Sequence, residues 1–104
     1  MIKLNNRIAI AKEFAKNLAS DKIKTIILFG SVARGEDTEY SDIDLLIVTD
    51  YWEELDNKIS KMVGKIMIEK DELISPHVMD THHYNTTQNY SFLINVFKDG
   101  VVLV

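Results

Sequence analysis

Two aspartates, Asp42 and Asp44, stand at the head of one apolar run, and a Gly-Ser pair, Gly30-Ser31, closes the apolar run before it. In an extended chain, side chains two residues apart point the same way, so Asp42 and Asp44 project from one face. Like charges that close disfavour joint ionisation, and a cation resolves the conflict. Carboxylate oxygens suit Mg²⁺, which takes one or two protein carboxylates and completes its shell with water and substrate phosphates. The Gly-Ser pair supplies the other half. Glycine permits close backbone approach, serine offers a hydroxyl, and a helix begun near Val32 would aim free N–H groups at an anion. These residue types describe a site for a metal-bound nucleotide. Arg34 stands where it either meets a phosphate or braces the loop by pairing with Glu36, Asp37 or Asp42.

Such a site needs rigid elements on both sides. Thr25 to Phe29 is β-branched and apolar, a buried strand that ends where Gly30 lets the backbone turn. Asp42 to Thr49 is a second strand, and the charged stretch Glu36 to Tyr40 between them is a solvent-facing loop. Upstream, Ile8, Ala11, Phe14, Ala15 and Leu18 recur at steps of three and four. They predict an amphipathic helix over Asn6 to Ala19, capped by Asn5 or Asn6. Downstream, Trp52, Leu55, Ile59, Met62 and Ile66 give a long helix over Tyr51 to Lys70 its apolar stripe.

Glu72 to Met79 is a third strand, with Pro76 suited to an edge because it has no N–H to donate. Asp80 to Thr87 is a polar loop with a short helical turn. A last helix presents Tyr90, Leu93, Ile94 and Phe97, and Gly100 ends it in a left-handed conformation. Val101 to Val104 is a short strand or a packed tail. The fold class is α/β in an α+β arrangement: a mixed sheet of three to four strands with helices packed on one face, all within a single domain over residues 1–104.

Plainer readings stand beside these. Gly30-Ser31 is also a tight turn, whose geometry is close to that of a phosphate cradle. His82-His83 is a surface pair rather than a metal site, since neighbours on an extended segment diverge. His77 reaches the aspartates if it shares their face. Trp52, Met62, Met67 and Met79 belong to a core or a partner surface, and Lys3, Lys12 and Lys16 are solvated.

Composition excludes several classes. The 12 Lys plus Arg against 16 Asp plus Glu give a net charge of −4, with no basic stripe to follow a polynucleotide backbone. No run approaches the length of a membrane span, and no signal-peptide core precedes the first helix. The absence of cysteine rules out disulfides and thiolate-bound zinc. A cytoplasmic address follows, and self-association is left open. At 104 residues the chain has no room for a second domain to hold a small acceptor.

The arrangement Gly30-Ser31, ten residues, then Asp42-x-Asp44 resembles the signature of the DNA polymerase beta-like nucleotidyltransferases. The wider stretches Gly30-Ser-Val-Ala-Arg-Gly35 and Ser41-Asp-Ile-Asp-Leu45, with Ile74-Ser-Pro76 and Phe97 to Leu103, are similar to the minimal nucleotidyltransferase (MNT) branch. The resemblance covers nearly the whole chain and implies a nucleotidyltransferase fold. It further implies Mg²⁺-dependent transfer of AMP from ATP to an acceptor hydroxyl, with Asp42 and Asp44 catalytic and metal-binding and Gly30, Ser31 and Arg34 nucleotide-binding. The implied partner is a HEPN-domain protein, with this chain as the antitoxin of a toxin–antitoxin pair.

One departure from that pattern stands out. The family usually presents a third carboxylate on the third strand, yet Leu73 to Met79 contains none and Asp80 lies one residue beyond. The alternative is therefore a catalytically weak or inactive nucleotide-binding module that neutralises its partner by binding. A small-molecule transferase of the aminoglycoside type is disfavoured, since those enzymes carry extra structure.

Overall fold

The computed structural model describes residues 6–104. Helix α1 spans Arg7–Leu18 and is capped by Asn6, whose side chain accepts from the backbone N–H of Ala9. The alternative cap, Asn5, and Lys3 lie outside the described residues. Strand β1 (Thr25–Phe29) runs into the short helix α2 (Gly30–Arg34), which Gly35 ends in a left-handed conformation at φ 72°. Then follow β2 (Ile43–Val48), the long helix α3 (Trp52–Lys70), β3 (Ile74–Met79), α4 (Thr81–Thr86), α5 (Ser91–Asp99) and β4 (Val101–Val102).

Among the described residues the sheet has four strands in the order β3-β2-β1-β4. Strands β1 and β2 pair antiparallel with Phe29 opposite Asp44, and β2 and β3 pair parallel with Asp44 opposite Ser75. Strand β4 adds antiparallel to β1, so the last apolar run is partly a strand. Pro76 stands on the edge strand, where its missing N–H breaks no ladder bond.

The mixed sheet with helices is as expected, but the helices divide between its two faces. Ile26, Leu28, Ile43, Leu45, Ile47 and Ile74 face α1, α2 and α3. Ile27, Leu46 and Val48 face the other way, against Leu93 and Val96 of α5 with Tyr84 of α4 alongside. The reason is in the central strands, whose TIILF and LLIV runs do not alternate with polar residues and so need cover on both sides.

Three helix details also differ from expectation. On α1 the inward stripe is Arg7, Ile10, Ala11, Phe14, Ala15 and Leu18, while Ile8 is exposed. On α5 the buried residues are Leu93 and Val96, with Tyr90, Ile94 and Phe97 outside. Gly100 is not left-handed, at φ −66° and ψ 143°. A Cβ there would overlap the carbonyl oxygen of Val96 and lie 2.8 Å from Cγ2 of Ile27, so glycine answers a close approach rather than a turn. No helix among the described residues is long and apolar enough to cross a membrane.

Candidate nucleotide site

The end of β1 and the start of β2 lie side by side because the two strands pair antiparallel, which carries Gly30 up against Asp44. Gly30 has φ 78°, a conformation that side chains resist. A Cβ on Gly30 would overlap Oδ2 of Asp44 and come within 3.3 Å of its Cγ. The glycine is therefore needed twice, for the turn and for the carboxylate behind it. Ser31 follows in the first turn of α2, half-buried.

Asp44 is half-buried on the face of the sheet that carries Phe29, and Asp42, one pleat earlier and just outside β2, is exposed. A spacing of two is the period of an extended strand, which is the basis for expecting both on that face. His77 of β3 shares it as well, with Nε2 3.5 Å from Oδ1 of Asp44, at the outer limit of a hydrogen bond. The His77 ring packs against Phe29 at 5.1 Å between centroids, and Phe92 of α5 meets Phe29 edge-on at 5.7 Å. The carboxylate thus sits beside an aromatic wall built from β1, β3 and α5.

Asp80 is set aside as a third carboxylate. In the parallel pairing, Asp44 lies opposite Ser75 at one end of β3, whereas Asp80 follows Met79 at the other. Five residue steps of extended chain separate Ser75 from Asp80, about 16 Å. There Asp80 caps α4, its Oδ1 accepting from the backbone N–H of His83 at 2.7 Å. His82 and His83 are exposed on α4. Arg34 donates from Nε to Oε2 of Glu36 at 3.2 Å, so one of its brace pairings is present.

Arg7 is the residue that periodicity passed over, although its place on the apolar stripe of α1 is the signal that could have found it. It is buried, and its guanidinium ties three distant segments together. Nε donates to Oε2 of Glu72 at 2.7 Å, Nη1 donates to Oδ2 of Asp37 at 2.9 Å and to the carbonyl of Thr38, and Nη2 donates to the carbonyl of Glu39 at 3.3 Å. Burial pulls its pKa down, but the hydrogen bonds and charges of Glu72 and Asp37 outweigh that and raise it. The loop between Gly35 and Asp42 is also tied to itself, the N–H of Thr38 donating to Oγ of Ser41 and the N–H of Ser41 to the carbonyl of Thr38. The loop joining the Gly-Ser turn to the aspartates is held at both ends and in its middle.

The donor chemistry fits Mg²⁺. Two carboxylates on an open sheet end, one of them backed by a residue without a side chain, leave room for phosphate oxygens in the rest of the shell. Among the described residues no three His, Cys, Asp or Glu side chains gather into a closed cage.

An opening of about 450 Å³ adjoins this point, lined by Phe29, Gly30, Arg34, Phe92, Asn95, Lys98 and Asp99. A larger one, about 760 Å³, lies at the far end of β3 around Trp52 and Met79. It shares no residue with the first, and its lining of Asp50, Glu53, Glu54 and Asp80 would repel a polyanion. The smaller opening is the better match to a nucleotide.

Comparisons with known proteins identify the family and the fold. The family model described as a nucleotidyltransferase domain matches residues 8–103. Two proteins of Methanocaldococcus jannaschii, each named as a candidate protein adenylyltransferase, are similar across almost their whole length. One is 42% identical over 95 residues, covering 88% of this chain and 92% of the relative. The other is 38% identical over 99 residues, covering 90% and 95%. Among solved structures, a toxin–antitoxin crystallised with AMP-PNP has the same fold, at TM-score 0.55 and 23% identity, covering 97% of this chain and 73% of that one.

Proposed function

The chain belongs to the nucleotidyltransferase domain family as a minimal nucleotidyltransferase, and from that premise we propose that it moves AMP from ATP to a hydroxyl on a partner protein. The observation that carries this reading is the packing of Gly30 against the Asp44 carboxylate. It joins the phosphate-cradling turn to the acidic strand at one point.

In this mechanism Asp42 and Asp44 would hold Mg²⁺. When bound, the ion neutralises charge on the phosphoryl oxygens. Gly30 makes room for the Asp44 carboxylate beside the turn, and the Ser31 hydroxyl donates to a phosphate oxygen. Among the described residues the ion pair of Arg34 is with an exposed glutamate, Glu36, a weak tie that phosphate oxygens can replace. Arg7 keeps the connecting loop in place so that these groups converge before substrate arrives. The acceptor oxygen bonds to the α-phosphorus as the bond from that phosphorus to the bridging oxygen of the β-phosphate breaks; the hydroxyl proton passes to solvent water and pyrophosphate leaves.

Three things support a protein acceptor. The two relatives are named for protein adenylylation, a similar fold occurs in a toxin–antitoxin, and the MNT resemblance implies a HEPN-domain partner. This chain is then a cytoplasmic antitoxin. One observation favours a second reading, a module that binds nucleotide and partner with little catalysis. The residue opposite Asp44 on β3 is Ser75, with His77 further along, where a third carboxylate is expected.

The test is incubation with labelled ATP, Mg²⁺ and the co-encoded partner, followed by intact-mass analysis. An added AMP on the partner, lost in Asp42→Asn and Asp44→Asn chains that keep their circular dichroism, supports the enzyme. A stable complex with no added mass supports the module. Transfer at the wild-type rate by either variant would remove the metal assignment.

A further inference from the structure

The opening of about 760 Å³ at the far end of β3 is acidic and aromatic at once. Asp50, Glu53, Glu54 and Asp80 bring four carboxylates to it, and its lining includes no lysine or arginine. Pro76, Val78 and Met79 of the edge strand β3 form its apolar wall. Tyr51 and Trp52, where α3 begins, complete the lining and are 49% and 40% exposed. Local duties account for part of this. Asp50 accepts the N–H of Thr81, Asp80 caps α4, and Glu53 and Glu54 in the first turn of α3 favour its N-terminus. None of those duties calls for two exposed rings in the same stretch.

The chain itself shows what such a surface holds. Lys22 pairs its ammonium with Glu54, and the same Nζ lies 5.8 Å from the centroid of the Tyr51 ring. A cation held by a carboxylate and a ring face together gains from both. Trp52 and Glu53 line the same opening, and among the described residues neither has a cation on it. We propose that this cleft docks a basic segment of the acceptor protein, an arginine or lysine of which lays its aliphatic stem along Val78 and Met79 and its charged head against Trp52 and Glu53. The proposal rests on the reading of a protein acceptor and adds how that acceptor is held. Charge complementarity selects the occupant: four carboxylates repel an acidic segment and go unanswered by a neutral one. Long cationic side chains suit the apolar wall as well as the acidic rim. Asp50 and Asp80 lie at the opposite end of the β2–β3 pair from Asp44 and Ser75, so a segment held there leaves the transfer site open.

The experiment is titration of the full chain with fluorescein-labelled hexa-arginine at physiological ionic strength, read by anisotropy. Trp52 is the only tryptophan of the chain, so the emission of the wild type with unlabelled peptide reports on the cleft itself. Hexa-arginine should bind and change that emission, and hexa-glutamate should do neither. Trp52→Ala and Glu53→Gln should each weaken binding about fivefold, whereas Glu13→Gln, which removes the same charge from an exposed position on α1, should leave it unchanged. Both cleft positions are exposed, and circular dichroism verifies folding; should Trp52→Ala lose structure, Glu53→Gln decides. Wild-type binding in the cleft variants, equal weakening by Glu13→Gln, or binding with no change in Trp52 emission would overturn the proposal. So would spermine that displaces the peptide at equal concentration, which would assign the cleft to a free polyamine. With the co-encoded partner as acceptor, the cleft variants should raise KM for the partner about fivefold and leave kcat and ATP affinity as in the wild type. Transfer with an unchanged KM in both variants overturns the docking site and leaves the enzyme standing. Cleft-dependent binding of hexa-arginine and of the partner without any AMP transfer supports the docking site and removes the enzyme.

Discussion

Gly30 and Asp44 are packed so closely that a methyl group on the first would occupy the place of the carboxylate of the second. The Gly30→Ala substitution should therefore act in two ways. Positive φ costs a residue with a side chain roughly 1–2 kcal/mol, and Asp44 must turn away. We expect a lowered melting temperature with near-complete loss of nucleotide transfer. Gly35→Ala, also at positive φ but with nothing within 4 Å of the added Cβ, should lose similar stability and keep most transfer. Equal activity in the two variants would mean that the Gly30 contact has no part in the chemistry.

Removing the Arg7 guanidinium deletes its 2.7 Å ion pair with buried Glu72 together with its bonds to Asp37 and the carbonyls of Thr38 and Glu39. A hydrogen bond to a charged group contributes about 1.5–3 kcal/mol, so Arg7→Ala should shift the urea midpoint downward. Arg7→Lys keeps the charge but not the planar fork that reaches Glu72, Asp37 and the loop carbonyls together. It should recover part of the stability while amide exchange in residues 36–41 stays faster than in the wild type. Unchanged exchange there would show that the loop holds its shape without Arg7.

His77→Asp tests the absence of a third carboxylate directly. The His77 ring faces Asp44 at 3.5 Å, so a carboxylate there would join the acidic group on the same face. Mg²⁺ affinity by calorimetry and the initial rate of AMP transfer should both rise, against a loss of roughly 0.5–1.5 kcal/mol of ring packing with Phe29 and Phe92. A fall in Mg²⁺ affinity would mean that the imidazole, not a missing acid, belongs in the site.

Asp50 provides a pH marker away from the site. Its pKa is lowered, chiefly because its carboxylate accepts the backbone N–H of Thr81 at 2.8 Å and so fastens the start of α4. A lowered folded-state pKa means stability that is complete above the unfolded value and is lost as pH falls through the folded one. The Thr81 amide resonance should therefore titrate with a midpoint below the ordinary aspartate value of about 3.9. A midpoint at or above that value would show that the hydrogen bond does not persist in solution.

Much of the protein was determined by local sequence. Strand β1, the turn at Gly30, strand β2 and the long helix α3 follow from runs of apolar residues and the punctuation between them, because such patterns need only neighbours a few residues away. The same locality made Asp42 and Asp44 legible as a pair, since the strand's period of two fixes their common side. What lay beyond the sequence depends on partners brought together by the sheet. Arg7 reaches Asp37 and Glu72 across separations of 30 and 65 residues, and His77 reaches Asp44 across 33. Periodicity carries no record of such distances. The parallel pairing of β2 with β3 alone decided that Ser75 and His77 stand near Asp44 and that Asp80 lies at the opposite end. Packing of α5 on the second face of the sheet then decided that Phe92 would meet Phe29 and His77, because two apolar central strands must be covered on both sides before any residue of that helix acquires a neighbour.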